Sequence, residues 1–247
     1  MFILPLVYVV FWKRKYDAHW KALFLGALGF IVSARVLALL VHIVFLVSDN
    51  PISRAINGST PLYVLYGITM AGVFEEVGRW VLFTVFRKKL DRREDAFMYG
   101  IGHGGIEAIV LGGIANISGL ITMIMINSGA MQMSLAAMTP ELQSQTIEQL
   151  STLWTTSPSL FFAAGIERVS AVILQIALSL IIYKGLRSGK KSIVALAYGI
   201  HFLVDFVAVA CAPRLSIWVV EALIVVTAVA SFMLAHKLNK DSANSAE

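Results

Sequence analysis

The sequence is short of charge, of cysteine and of polar linkers. Asp, Glu, Lys and Arg make up only 14% of its 247 residues, against roughly a quarter in soluble domains. That shortage excludes an ordinary water-soluble globular domain. The single cysteine, Cys211, excludes a framework of internal disulfides. A His-Glu-x-x-His zinc motif is absent, and no convincing repeat relates the two halves. The net charge of +5 does not imply nucleic acid, because the basic residues sit in short loops between apolar runs. The chain opens with an apolar run followed by Lys13, Arg14 and Lys15, the reverse of a signal peptide's order.

What is present is apolar length. Hydrophobic residues make up 58% of the chain, and the mean hydropathy is +0.78. A bilayer core of about 30 Å takes roughly 20 apolar residues per helix. Seven segments stand out: 1–12, 21–47, 61–86, 96–126, 159–183, 192–211 and 215–236. They predict an all-α, polytopic transmembrane bundle of about seven spans, forming one domain over residues 1–240. The first segment is short, and reads either as a span whose beginning is missing or as a tilted surface piece. Residues 241–247 form a polar tail, expected to be disordered.

Loop charge gives an orientation. Lys13, Arg14, Lys15 and Lys21 occupy the first loop, Arg87, Lys88, Lys89, Arg92 and Arg93 the third, and Lys184, Arg187, Lys190 and Lys191 the fifth. The even loops carry Arg54, no base at all, and Arg214. The positive-inside rule then places the amino terminus outside and the carboxyl terminus in the cytoplasm. The long fourth loop contains Thr139-Pro140, a helix start, with Ile147, Leu150 and Trp154 on one face. It reads as an amphipathic helix on the outer surface.

Ionisable groups inside spans are costly and point to function. The acids are Glu75, Glu76, Glu107, Glu167, Asp205 and Glu221, the arginines Arg35, Arg79 and Arg168, and the histidines His42, His103 and His201. The acids outnumber the arginines, so some must be protonated, paired with His, near a metal or wetted. Glu75 and Arg79, His103 and Glu107, and His201 and Asp205 are each four residues apart, on one helix face. A rise of 1.5 Å per residue puts all three pairs in one layer, about 10–20 Å below the cytoplasmic face. Glu107, Glu167, Arg168 and Arg35 read first as interhelical ion pairs, with Glu107 a possible supporting member of the layer. His42 reads as an interfacial or hydrogen-bonded histidine and Glu221 as a wetted outer carboxylate.

Phe74-Glu75-Glu76-Val77-Gly78-Arg79 resembles the EExxR signature of the intramembrane protease superfamily of type II CAAX prenyl proteases, bacteriocin-processing (CPBP) enzymes and PrsW. Gly100-Ile101-Gly102-His103-Gly104-Gly105-Ile106-Glu107 and His201-Phe202-Leu203-Val204-Asp205 resemble its second and third motifs. The Gly-His-Gly-Gly-x-Glu form and Glu167-Arg168 are most similar to the bacterial YhfC family. CAAX proteases have one more residue before the arginine, Phe in place of Tyr99 and Asn in place of Asp205, which sets prenylated substrates aside.

The resemblance implies an intramembrane endopeptidase of the bacterial plasma membrane, acting on membrane proteins or peptides through an activated water. Glu75 is then the base with His103, Glu76 the supporting acid or the alternative base, and Arg79 the group that fixes a carboxylate. His201 and Asp205 would stabilise the oxyanion, with Asp205 orienting His201. The mechanism is either metal-free or uses a divalent metal such as zinc, for which Glu75, His103 and His201 supply suitable ligand types. A non-catalytic scaffold like the APH subunit of gamma-secretase, and a proton- or ion-coupled transporter, are the competing readings.

Overall fold

The computed structural model describes residues 1–240, and the expected tail at 241–247 lies outside them. Among the described residues every regular element is helical and no strand forms. The helices are α1 (Ile3–Tyr16), α2 (Trp20–Val47), α3 (Pro51–Asn57), α4 (Thr60–Val85), α5 (Arg93–Asn127), α6 (Ala130–Ala136), α7 (Pro140–Thr155), α8 (Pro158–Arg187), α9 (Lys191–Arg214) and α10 (Ile217–Lys240). Of the seven apolar segments, five form helices long and apolar enough to cross a bilayer: α2, α5, α8, α9 and α10. The 26-residue α4 has the length but carries Glu75, Glu76 and Arg79, which lower its hydropathy. The 14-residue α1 is too short by itself. Large apolar side chains such as Phe24, Val85 and Phe162 stand exposed, as a lipid-facing surface requires.

Local signals explain the helix starts. Asn50 caps α3, its side chain accepting from the backbone N–H of Ile52 and Ser53 while Ser53 answers with a reciprocal bond. Thr139 caps α7, and Pro140 occupies its first turn. The predicted amphipathic helix is thus formed, with Ile147 and Trp154 exposed. Asp17 ends α1 in the left-handed region (φ 49°). A hydrogen bond and the positive charge of Lys13 hold the Asp17 carboxyl below its ordinary range.

Packing converges on α8, whose residues 174–182 are buried on every side. It contacts α4, α5, α9 and α10. Glycines allow the tightest approaches. A Cβ on Gly26 of α2 would lie 2.1 Å from the carbonyl oxygen of Tyr99, and one on Gly102 of α5 would lie 2.0 Å from that of Leu23. Only bare backbone lets these two helices touch. Asp95, fully buried at the start of α5, accepts from the His19 amide (2.8 Å), with His19 Nδ1 3.0 Å away, and from Arg92 Nε (3.2 Å). This ties the entry of α2 to that of α5. Trp12 of α1 stacks on Phe97, with ring centroids 3.5 Å apart.

Three of the long helices widen to π-type hydrogen bonding. The stretches are Ile31–Leu37 and Ile43–Val47 in α2, Ala108–Gly113 in α5 and Phe206–Cys211 in α9. The last two begin directly after Glu107 and Asp205. Such stretches recur at functional sites because they change the direction of the side chains around them.

Candidate functional site

Four helices bring their polar residues to one buried locus. α4 supplies Glu75, Glu76 and Arg79, α5 His103 and Glu107, α8 Gln175 and Arg168, and α9 His201 and Asp205. Glu75, Glu76, Arg79, His103, Glu107, Gln175 and His201 are all buried. Burying this many ionisable groups costs free energy unless each finds partners, and most of them do.

The contacts form two joined networks. In the first, His103 Nε2 lies 3.0 Å from Glu75 Oε2. Gln175 Nε2 donates to that same oxygen at 2.9 Å and to Glu107 Oε2 at 2.7 Å. In the second, Arg79 Nη1 donates to both oxygens of Glu76, at 2.8 Å each, and His201 Nδ1 lies 2.8 Å from Glu76 Oε1. Asp205 Oδ2 is 3.6 Å from His201 Nε2. Arg79 Nη2 also donates to Gln175 Oε1, so the Gln175 amide joins the two networks.

The sequence pattern put Arg79 with Glu75, four residues away. In the folded chain it pairs with Glu76, three residues away. Both spacings are within reach on a helix, and Glu75 is already engaged by α5 and α8. The tautomer of His201 was expected to be set by Asp205. Its Nδ1 is instead bonded to Glu76, leaving Asp205 the looser contact on Nε2.

Glu107 lies inside the locus through Gln175, and Arg168 Nη1 reaches it at 3.4 Å while Nη2 pairs with Glu167. Arg35 is exposed, apart from the cluster. His42 hydrogen-bonds the Tyr66 hydroxyl at 2.8 Å. Glu221, expected to be wetted, is instead enclosed with one oxygen unpartnered, because α10 packs along α8.

Sequence reasoning missed Gln175. Its one signal was a lone amide in the largely apolar run 171–183, and a count of ionisable residues passes over it.

Glu75, His103 and Glu107 each offer a donor atom, and these atoms lie within 4.8 Å of one another. One imidazole and two carboxylates, buried together, are a donor set that suits a divalent cation. Two adjacent carboxylates also leave negative charge that a cation would balance. His103 Nδ1 has no hydrogen-bond partner, so the ring proton can reside there and leave the lone pair on Nε2, the nitrogen that faces Glu75, for a cation. The residues present therefore fit a metal held by Glu75, His103 and Glu107. His201, engaged with Glu76, lies outside that trio.

Comparison with known proteins identifies the family. Residues 1–226 match the family model described as YhfC intramembrane metalloprotease. The chain belongs to the YhfC family. It is 34% identical over 214 residues to the "Uncharacterized membrane protein YhfC" of Bacillus subtilis (strain 168), covering 84% of this chain and 80% of that protein. No solved structure matches it. With its five apolar helices, this YhfC family member is an integral membrane protein, in keeping with a bacterial plasma membrane.

Proposed function

We propose that this YhfC family member is an intramembrane endopeptidase that hydrolyses peptide bonds of membrane-associated substrates, with a divalent metal held by Glu75, His103 and Glu107. The observation that carries the reading is the buried trio of donor atoms within 4.8 Å of one another, set against a second proton-handling network. The family description supports the same chemistry. The three motifs further support kinship with the CAAX, CPBP and PrsW proteases. The basic loops support seven spans in all, with the amino terminus outside and the site nearer the cytoplasmic face.

When bound, a divalent ion such as zinc supplies Lewis-acid chemistry, polarising a carbonyl and acidifying water. Glu75 and Glu107 hold the site's negative charge, and the lone pairs not used by Gln175 and His103 remain available to a water. Glu76 is kept an acceptor by the two bonds from Arg79, so the His201 proton lies on Nδ1. His201 Nε2 is then the nitrogen that takes up and releases a proton, donating to the leaving amine as the peptide bond breaks. Asp205 at 3.6 Å steadies that exchange. Beside the same turn of α4, a cleft of about 430 Å³ lies between α2 and α4, lined by Leu28, Val32, Ser33, Phe74, Val77 and Gly78. Its apolar walls suit a hydrophobic substrate segment.

A second reading rests on the 3.0 Å contact between His103 Nε2 and Glu75 Oε2. Glu75 and His103 would then activate the water with no metal.

Purified protein in liposomes, assayed on a library of membrane peptides, tests both. Wild type is expected to cleave, and Glu75→Gln to lose that activity in either reading, as a cation ligand in the first and, in the second, as the general base, whose loss costs about 10²–10⁴-fold. A chelator should abolish cleavage and zinc restore it. Chelator-resistant cleavage favours the metal-free reading. No cleavage of any peptide by wild type favours a scaffold or a transporter.

A further inference from the structure

We propose that Gln175 is a positioning residue for the candidate metal centre, its amide holding Glu75 and Glu107 at the separation one cation requires. The inference rests on the reading of Glu75, His103 and Glu107 as cation ligands. Nothing in the motifs of the family resemblance includes this position.

The amide's orientation is forced. Arg79 presents only donors, so the group facing it must be the Gln175 carbonyl, Oε1. The NH₂ group therefore faces the two carboxylates. It has two hydrogens, and it spends one on Glu75 Oε2 at 2.9 Å and one on Glu107 Oε2 at 2.7 Å. Two carboxylates side by side in an apolar interior repel strongly. A shared donor between them opposes that repulsion, and one nitrogen bonded to both keeps them within reach of one ion. Glu75 keeps its Oε1, and Glu107 keeps the lone pairs of Oε1 that Arg168 Nη1, at 3.4 Å, does not use, for a ligand.

The amide is itself fixed. Gln175 is 3% exposed and sits on the enclosed part of α8. The Ser179 hydroxyl donates to the Gln175 main-chain oxygen at 2.7 Å. Across the interface stands Gly104, next to His103. A Cβ there would meet the Gln175 Cβ at 2.9 Å and the Val172 Cα at 3.0 Å. The Gly-His-Gly-Gly motif thus does more than let helices approach. Its glycine after the histidine is the space that admits Gln175 to the site.

The experiment is a zinc titration of the purified full chain in detergent micelles, comparing wild type with Gln175→Met, Gln175→Asn and Glu107→Gln. Methionine keeps the side chain's length and flexibility without donors, and asparagine keeps the amide but withdraws it by one methylene. Circular dichroism and gel-filtration elution report whether each variant is folded. Both Gln175 variants are expected to bind zinc about 10–100-fold more weakly, the usual cost of losing a group that orients a ligand. In the peptide assay kcat should fall with KM little changed. Glu107→Gln should lose zinc altogether. If Glu107→Gln loses zinc while a folded Gln175 variant keeps wild-type affinity, the positioning role is overturned and the metal site stands. If wild type and Glu107→Gln bind alike, or neither binds, the metal reading fails and the positioning role falls with it.

Discussion

His201 has a carboxylate on each side, Glu76 at Nδ1 and Asp205 at Nε2. The two contacts have different lengths and, in the proposed reaction, different jobs. His201→Gln keeps a hydrogen-bonding side chain but removes the group that exchanges a proton. Its kcat for peptide cleavage should drop about 10²–10⁴-fold while zinc affinity stays at the wild-type value, which parallel kinetics and metal titration would measure. Equal loss of both would place His201 among the ligands. The residues of this layer were legible because a charge in an apolar run is conspicuous, and helical spacing put three such pairs at one depth. The pairing within the layer was not. Arg79 reaches Glu75 and Glu76 equally well along α4, and the choice is made by His103 and Gln175 on other helices. Gln175 stayed hidden because a neutral amide raises no charge alarm, although it contacts both networks.

At the scale of helices, the close contact of α2 with α5 depends on Gly26 and Gly102, where an added Cβ would collide with backbone oxygen. Backbone cannot rotate away as a side chain does. Gly26→Ala should therefore destabilise by about 1–3 kcal/mol or more, as overpacking does, read as a lower midpoint of thermal unfolding in detergent. Gly199 of α9 is the matched control, since nothing lies within 4 Å of its added Cβ. Gly199→Ala should be neutral or stabilising by up to about 1 kcal/mol, because Gly is the poorer helix former. If the two variants behaved alike, the packing account of Gly26 would be wrong. The positions of the long helices could be read from apolar run length, and the start of α7 from Thr139-Pro140. The π-type stretches after Glu107 and Asp205 could not, because they arise from how neighbouring helices crowd the chain. Asp95 also escaped notice: it lies at the edge of an apolar run, where an acid looks solvated, and only the docking of His19 buries it.

At the scale of the whole molecule, the inferred orientation is open to direct measurement through the lone cysteine. Cys211 ends the π-type stretch of α9, partly exposed, next to the turn that holds Arg214. With the amino terminus outside, this end of α9 faces the exterior. A membrane-impermeant thiol reagent should then label Cys211 on intact cells, and Cys211→Ser should abolish labelling. Labelling that needs the membrane to be opened would reverse the orientation. Loop charge was the sole guide to sidedness, and a helix such as α4 shows its limit, because long apolar length and internal charge pull against each other there. That conflict has a consequence for how the protein is made. Charged side chains cost about 2.5–3.5 kcal/mol each to insert at mid-bilayer. Arg79 and Glu76 can pair within α4, but the remaining partners arrive later, His103 on α5, Gln175 on α8 and His201 on α9. During synthesis α4 is therefore expected to wait at the translocon or the membrane edge until those helices emerge, so that biogenesis of the protein and assembly of its site are a single event.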